Sequence, residues 1–83
     1  MEKAETIVKI KIMDVNGIKN FVNAMNRSPF DADVKKDRYV SDAKSIMGLF
    51  SLDLSTGANL VIYADEDDAQ KTIESIKQFI VED

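Results

Sequence analysis

The hydrophobic period of this 83-residue chain switches repeatedly between two and about 3.6, and that alternation constrains its fold more than any other feature. Thr6-Ile7-Val8-Lys9-Ile10-Lys11-Ile12 alternates as a strand, with Val8, Ile10 and Ile12 predicted to face a core. After the turn signal Asn16-Gly17, Ile18, Phe21, Val22 and Met25 recur at i, i+3, i+4 and i+7, the stripe of an amphipathic helix. Ser28-Pro29 stops that helix, because the residue before proline is pushed out of the α region. Two short strands, Asp31 to Lys36 and Arg38 to Val40, are expected to form a hairpin turning near Asp37. Ser45 to Leu52 reads as a short helix, Ser55-Thr56-Gly57 as a loop, and Ala58 to Ala64 as a strand with Leu60 and Ile62 on one face. Asp65-Glu66-Asp67-Asp68 places acid where a helix start presents the positive end of its dipole. Ala69, Ile73, Ile76 and Ile80, with Phe79 beside them, supply the buried face of that last helix.

The resulting order is β-α-β-β-α-β-α. It predicts an α+β domain spanning 1–83, an antiparallel sheet with its helices gathered on one face. A ferredoxin-like fold shares the first six elements and is the main competitor. There is no cysteine, so neither a disulfide framework nor a thiolate metal site is available, and the fold must rest on its core. No apolar run approaches the roughly 20 residues that cross a bilayer, and the alternating residues 1–12 do not form a targeting peptide. These features predict a cytoplasmic protein without membrane insertion.

Charge narrows the function classes. The net charge is −4, divided as +2 over residues 1–44 and −6 over residues 45–83. That imbalance argues against direct nucleic-acid binding, which needs a concentrated basic face, and leaves a charge-directed protein partner open. Histidine is absent along with cysteine, so an enzyme is the poorest reading. Asp31 and Asp33 share one face of a strand, but two carboxylates without a third convergent ligand do not make a metal site. No metal and no cofactor is expected.

The segment Ala43-Lys44-Ser45-Ile46-Met47-Gly48-Leu49 carries the most functional information. Five of the seven residues from Ile46 to Leu52 are large and apolar, yet a two-turn helix on a sheet buries only one stripe. Leu49 and Leu52 are expected to point inward, leaving Ile46, Met47 and Phe50 as an exposed contact patch. Ser45 has two readings. Its hydroxyl can cap the helix, which general preferences favour, or it can accept a phosphoryl group that the helix start would tolerate.

This segment, continuing through Phe50-Ser51-Leu52 and Ser55-Thr56-Gly57, resembles the regulatory-serine region of HPr, the small phosphocarrier of the bacterial sugar phosphotransferase system. The resemblance implies an HPr-like open-faced sandwich, a four-stranded antiparallel sheet with three helices on one face. It also implies phosphorylation of Ser45 by a metabolite-controlled HPr kinase, and docking to a catabolite-control regulator through Lys44, Ile46, Met47 and Phe50. A monomer or weak dimer is expected.

The family's Thr-Gly-Leu/Ile-His-Ala-Arg-Pro motif, at the start of its first helix, is not matched. Set against Asn16-Gly17-Ile18-Lys19-Asn20-Phe21-Val22, it puts Lys19 at the phosphohistidine, Phe21 at the arginine and Val22 at the proline. The segment from Lys19 to Ser45 is then short by more than a helical turn. Phosphotransfer between histidines needs a nucleophile largely neutral near pH 7, whereas a solvated lysine is almost wholly protonated there. The expectation is therefore a regulatory protein without phosphocarrier activity. An alternative is a small-molecule effector domain, with an anion held by Gly17, Ile18, Lys19 and Asn20 at the first helix start.

Overall fold

The computed structural model describes residues 4–81. Its elements are β1 (Thr6–Ile10), α1 (Val15–Arg27), β2 (Ala32–Lys36), β3 (Tyr39–Asp42), α2 (Ile46–Phe50), β4 (Ala58–Ile62) and α3 (Glu66–Ser75), with 3-10 turns at Leu54–Thr56 and Lys77–Phe79. The sheet order is β1-β4-β2-β3, and every neighbouring pair is antiparallel. The last strand thus enters between the two strands that α1 connects, and β3 is left at the edge as the hairpin partner of β2. A ferredoxin-like sheet would insert its third strand there instead. The architecture is the α+β open-faced sandwich that the sequence resemblance implies.

Register explains how the core forms. Val8, Leu60 and Val34 lie side by side across β1, β4 and β2, and Thr6, Ile62 and Ala32 form the next row. Leu60, Ile62 and Val34 are fully buried. They join one hydrophobic cluster with Ile18, Phe21, Val22 and Met25 of α1, Leu49 of α2 and Ala69 of α3. Side chains alternate across a sheet, so Ile7, Lys9, Asn59, Lys35 and Val40 fall on the opposite, open face. All five are exposed.

The turn between β2 and β3 puts Asp37 at φ 54°, a left-handed conformation that a short polar side chain tolerates. At its C-terminal end α1 stops as expected, where Ser28 turns extended (ψ 137°) ahead of Pro29. The acidic run also behaves as expected. Asp65 caps α3, its carboxylate accepting from the Asp68 N–H at 2.8 Å.

Two expectations about the ends of elements need correction. β1 stops at Ile10 because the chain then changes partners: Lys11 N–H donates to Phe79 O (2.8 Å) and Ile12 N–H to Leu54 O (3.0 Å). Ile12 remains buried, now beneath the loops. The final helix ends at Ser75 rather than running to Ile80. There the backbone leaves the α region at Ile76, which lets Phe79 stack on Phe21, with ring centroids 5.8 Å apart and planes at 78°. Ile80 then bridges Ile10, and Val81 N–H donates to Lys9 O, so the C-terminal segment covers the free edge of β1. Covering an edge satisfies its backbone groups and removes a template for aggregation.

The open face holds the carboxylates considered for a metal. Asp33 accepts a hydrogen bond from the Tyr63 hydroxyl at 2.7 Å. Among the described residues no group of three or more carboxylate, histidine or cysteine side chains could hold a metal ion. That hydrogen bond favours the neutral phenol and is the main cause holding the Tyr63 pKa above its ordinary value, with desolvation adding to it. For a group raised on folding, the stabilisation is complete below the unfolded pKa and is lost as pH climbs through the folded one. Asp33→Ala should therefore bring the tyrosinate absorbance titration of Tyr63 down toward that of an ordinary phenol. An unchanged alkaline midpoint would show that Asp33 is not the cause.

Candidate regulatory and docking surface

The segment leading into α2 is tied down at several points. Ala43 is fully buried, and its N–H donates to Ala32 O at 2.9 Å. The Lys44 N–H donates to Asp42 Oδ1 (2.9 Å), and Ser45 N–H to Asp42 O (3.1 Å). The Lys44 ammonium donates to Ser28 O at 3.0 Å, which draws it back to the end of α1. Lys44 is therefore half-buried and engaged with its own fold instead of standing out beside Met47.

Ser45 is the N-cap of α2. Its backbone is extended (φ −104°, ψ 107°), and its Oγ accepts from the Gly48 N–H at 3.2 Å. Gly48 lies close against β3, where a Cβ would displace the Ser41 hydroxyl from its present position. The absence of that atom lets α2 settle on the sheet edge. Leu49 is fully buried, whereas Met47 is 75% and Phe50 42% exposed.

Ile46 corrects the sequence reading. It is half-buried and packs against the core, because i and i+3 share a helix face and Leu49 already points inward. Leu52 also packs against the core, though only in part. The exposed apolar side chains of α2 are thus Met47 and Phe50.

Across a shallow cleft from Phe50 lies the start of α1. This cleft, of about 310 Å³, is lined on one side by Met13, Asp14 and Val15 and on the other by Phe50, Leu52 and Leu54. Met13 is 72% exposed and Val15 54%. The sequence reading overlooked both, since neither lies on the buried stripe of a strand or helix. Adjacent to an exposed apolar helix, that failure to fit a stripe was itself the available signal. On the far side, Asp53 accepts from the Ser55 hydroxyl (2.6 Å) and the Ser55 N–H (3.2 Å). Those two bonds, and more weakly the charge of Lys36, lower its pKa below the ordinary carboxylate value.

The first helix start also differs from expectation. α1 begins at Val15, and its cap is Asp14, whose Oδ1 accepts from the Gly17 N–H at 2.7 Å. A carboxylate fixed to the chain thus occupies the amide that an anion bound at Gly17, Ile18, Lys19 and Asn20 would use. Ile18 is buried in the core, and Lys19 and Asn20 are exposed beyond the first turn. The four residues do not make an anion site. Gly17 instead serves packing, for a Cβ there would come within 2.8 Å of Ile12 Cγ2 and 3.4 Å of Phe79 Cε1. Phe21 and Val22, set against the family's arginine and proline, are core residues.

Residues 3–82 match the family model described as the PTS HPr component phosphorylation site. The chain belongs to the HPr family. It is 38% identical over 63 residues to the HPr-like protein Crh of Bacillus subtilis, covering 76% of this chain and 74% of that protein. Against the HPr-like protein Crh of Halalkalibacterium halodurans it is 35% identical over 60 residues, 72% of this chain and 71% of the relative. Among solved structures, the phosphocarrier protein HPr from Bacillus anthracis superposes with a TM-score of 0.72 at 21% identity, covering 94% of this chain and 99% of that one. HPr-C-His from Thermoanaerobacter tengcongensis gives 0.65 at 28% identity, over 94% and 89%. The chain shares the fold of these solved HPr structures. Against it, Lys19 does not stand at the start of the first helix, where the family's phosphorylation motif belongs; Asp14 does.

Proposed function

We propose that this chain is a non-catalytic, HPr-like regulatory protein whose docking surface is switched by phosphorylation of Ser45. The observation that carries this reading is the position of Ser45 at the cap of α2, adjoining the exposed Met47 and Phe50, in a chain with no histidine. Among the described residues the Ser45 hydroxyl acts only as an acceptor, from Gly48 N–H, so no bond within the protein holds its proton. An HPr kinase would transfer the γ-phosphoryl group of ATP to Ser45 Oγ, releasing ADP and a proton. The product carries about −1.5 to −2 charge at the positive end of a helix, where it is tolerated. Its partner, such as a catabolite-control regulator, would offer an apolar pocket for Met47 and Phe50, flanked by a basic group for the phosphate.

The phosphocarrier corner supports the same reading. Placing Asp14 at the family's histidine position makes the arginine position Asn16 and the proline position Gly17. It also removes the apparent shortening before Ser45, because Asp14 precedes Lys19 by five residues, more than a helical turn. On that placement, a carboxylate that caps its own helix would stand where the family's histidine receives a phosphoryl group, and its negative charge would oppose an incoming anion.

Incubation with an HPr kinase, ATP and Mg²⁺ should add one phosphoryl group, seen by intact-protein mass spectrometry. Ser45→Ala should abolish the gain and remove a cap, at a cost of about 1 kcal/mol in stability. No gain in the wild type, or a gain that survives Ser45→Ala, would refute the switch.

A further inference from the structure

We propose that a second site, separate from the Met47 and Phe50 surface, binds a small oxyanion in the cleft between the end of α1 and the middle of α3. The cleft measures about 190 Å³ and is lined by Ala24, Arg27, Ser28 and Pro29 on one side and Lys71, Thr72 and Ser75 on the other. It is too small for a drug-sized ligand, yet it has room for a phosphate or carboxylate with a short apolar body.

The hydrogen-bonding inventory identifies the ligand class. Ser28 and Thr72 are 8% and 5% exposed, and their hydroxyls bond to each other at 2.8 Å. Two hydroxyls own two donor protons, and a mutual bond uses only one. Ser28 Oγ also accepts from Phe30 N–H at 3.3 Å, which uses a lone pair and no proton. Among the described residues the second proton has no acceptor, and it belongs to a nine-tenths-buried hydroxyl lining the cleft. A buried donor without a partner costs free energy that a ligand acceptor would recover.

The cations point the same way. Among the described residues Arg27 donates only through Nε, to Asn23 O at 3.4 Å, and no bond engages its terminal nitrogens. Neither Arg27 nor Lys71 forms an ion pair among the described residues. The position of Arg27 in the last turn of α1 is favourable to the helix dipole, but that does not account for Lys71 facing the same cleft from α3. Competing acceptors nearby are already satisfied: Ser28 O takes the Lys44 ammonium, and Thr72 O takes the Ser75 hydroxyl at 2.6 Å. The cleft is thus lined by two basic residues, Arg27 and Lys71, and by a hydroxyl donor, beside the apolar surfaces of Ala24 and Pro29. That set suits an oxyanion with a small hydrophobic substituent, and it rejects a cation or a neutral donor.

The site does not depend on Ser45, so the two readings can fail separately. Amide-resolved NMR titrations at constant ionic strength would test it with inorganic phosphate, phenyl phosphate and benzoate as probes and chloride as control. Saturable shifts at Ser28, Phe30 and Thr72 are expected, and the tightest probe identifies whether phosphate or carboxylate is preferred. Arg27→Gln with Lys71→Gln should weaken binding at least about tenfold, as the loss of charge-assisted bonds requires. Both positions are on the helix surfaces, and the double variant should retain the wild-type spectrum elsewhere. Shifts that never saturate, that chloride reproduces, or that persist unchanged in the double variant would overturn the proposal.

Discussion

Phe21→Ala is expected to leave this protein largely unfolded at room temperature. Phe21 is fully buried and stands edge-on to Phe79, so it joins α1 to the 3-10 turn that follows α3. Phe79 in turn lies near Gly17, whose missing Cβ makes room for the Ile12 side chain beside it. Removing the Phe21 ring deletes transfer energy and leaves a cavity in a cluster whose other members, such as Met25, Leu60 and Ile62, are fully buried and close-packed. Phenylalanine-to-alanine changes at such sites cost about 3–5 kcal/mol. A core of this size, without disulfide or metal, rarely supplies more than about 3–5 kcal/mol in total. Loss and supply are of the same order, so most of the population should unfold. Phe21→Leu keeps most of the volume and should cost a fraction of that, which keeps the comparison measurable by urea denaturation. A Phe21→Ala midpoint close to the wild type would mean that the Phe21–Phe79 contact contributes little.

The sequence exposed most of the topology because periodicity and breakers agreed locally. The stripe Ile18, Phe21, Val22, Met25, the Ser28-Pro29 stop and the turn at Asp37 all act within a few residues, and each appears in the structure where it was read. What it hid were decisions made by distant contacts. α3 stops at Ser75 because Phe79 gains a ring partner on α1 and Ile80 gains a bridge to β1, neither of which shows in helical spacing.

The candidate site was legible to the same degree. Ser45 could be recognised as a cap from its place before an apolar run, whereas Ile46 turned inward because Leu49 and the adjacent core dictated the rotation of a helix of one and a half turns. The start of α1 was misplaced for a related reason. Asn16-Gly17 looks like a turn, but Asp14 caps two residues earlier, and Gly17 is there for packing against Ile12 and Phe79. The shortened distance to Ser45 was the clue, since an insertion or deletion of a helical turn inside a compact domain must be absorbed somewhere. Met13 and Val15 went unnoticed because a patch built from a loop and a separate helix has no sequence period.

Met47→Ala combined with Phe50→Ala should separate docking from folding. Met47 is largely exposed and Phe50 is 42% exposed, so their joint removal is expected to cost about 1 kcal/mol, well short of a core truncation. At an interface the same atoms would be desolvated in a partner pocket, and central apolar anchors commonly contribute 2 kcal/mol or more, a factor of about thirty in affinity. The double variant should therefore stay folded with only a modest drop in melting temperature, while kcat/KM for Ser45 phosphorylation by an HPr kinase falls roughly ten- to a hundredfold. Leu49→Ala offers the contrast: it should lower the melting temperature, as about 2–5 kcal/mol is lost from a fully buried leucine. Ser45 keeps its cap in the double variant, so a loss of kinase efficiency cannot be ascribed to a frayed α2 if the Gly48 amide remains protected from hydrogen exchange. Kinase efficiency equal to the wild type would move the docking surface away from α2. The cleft flank at Met13 and Val15 would then be the next apolar surface to truncate, because it lies against Phe50 and is built by α1 independently of the serine.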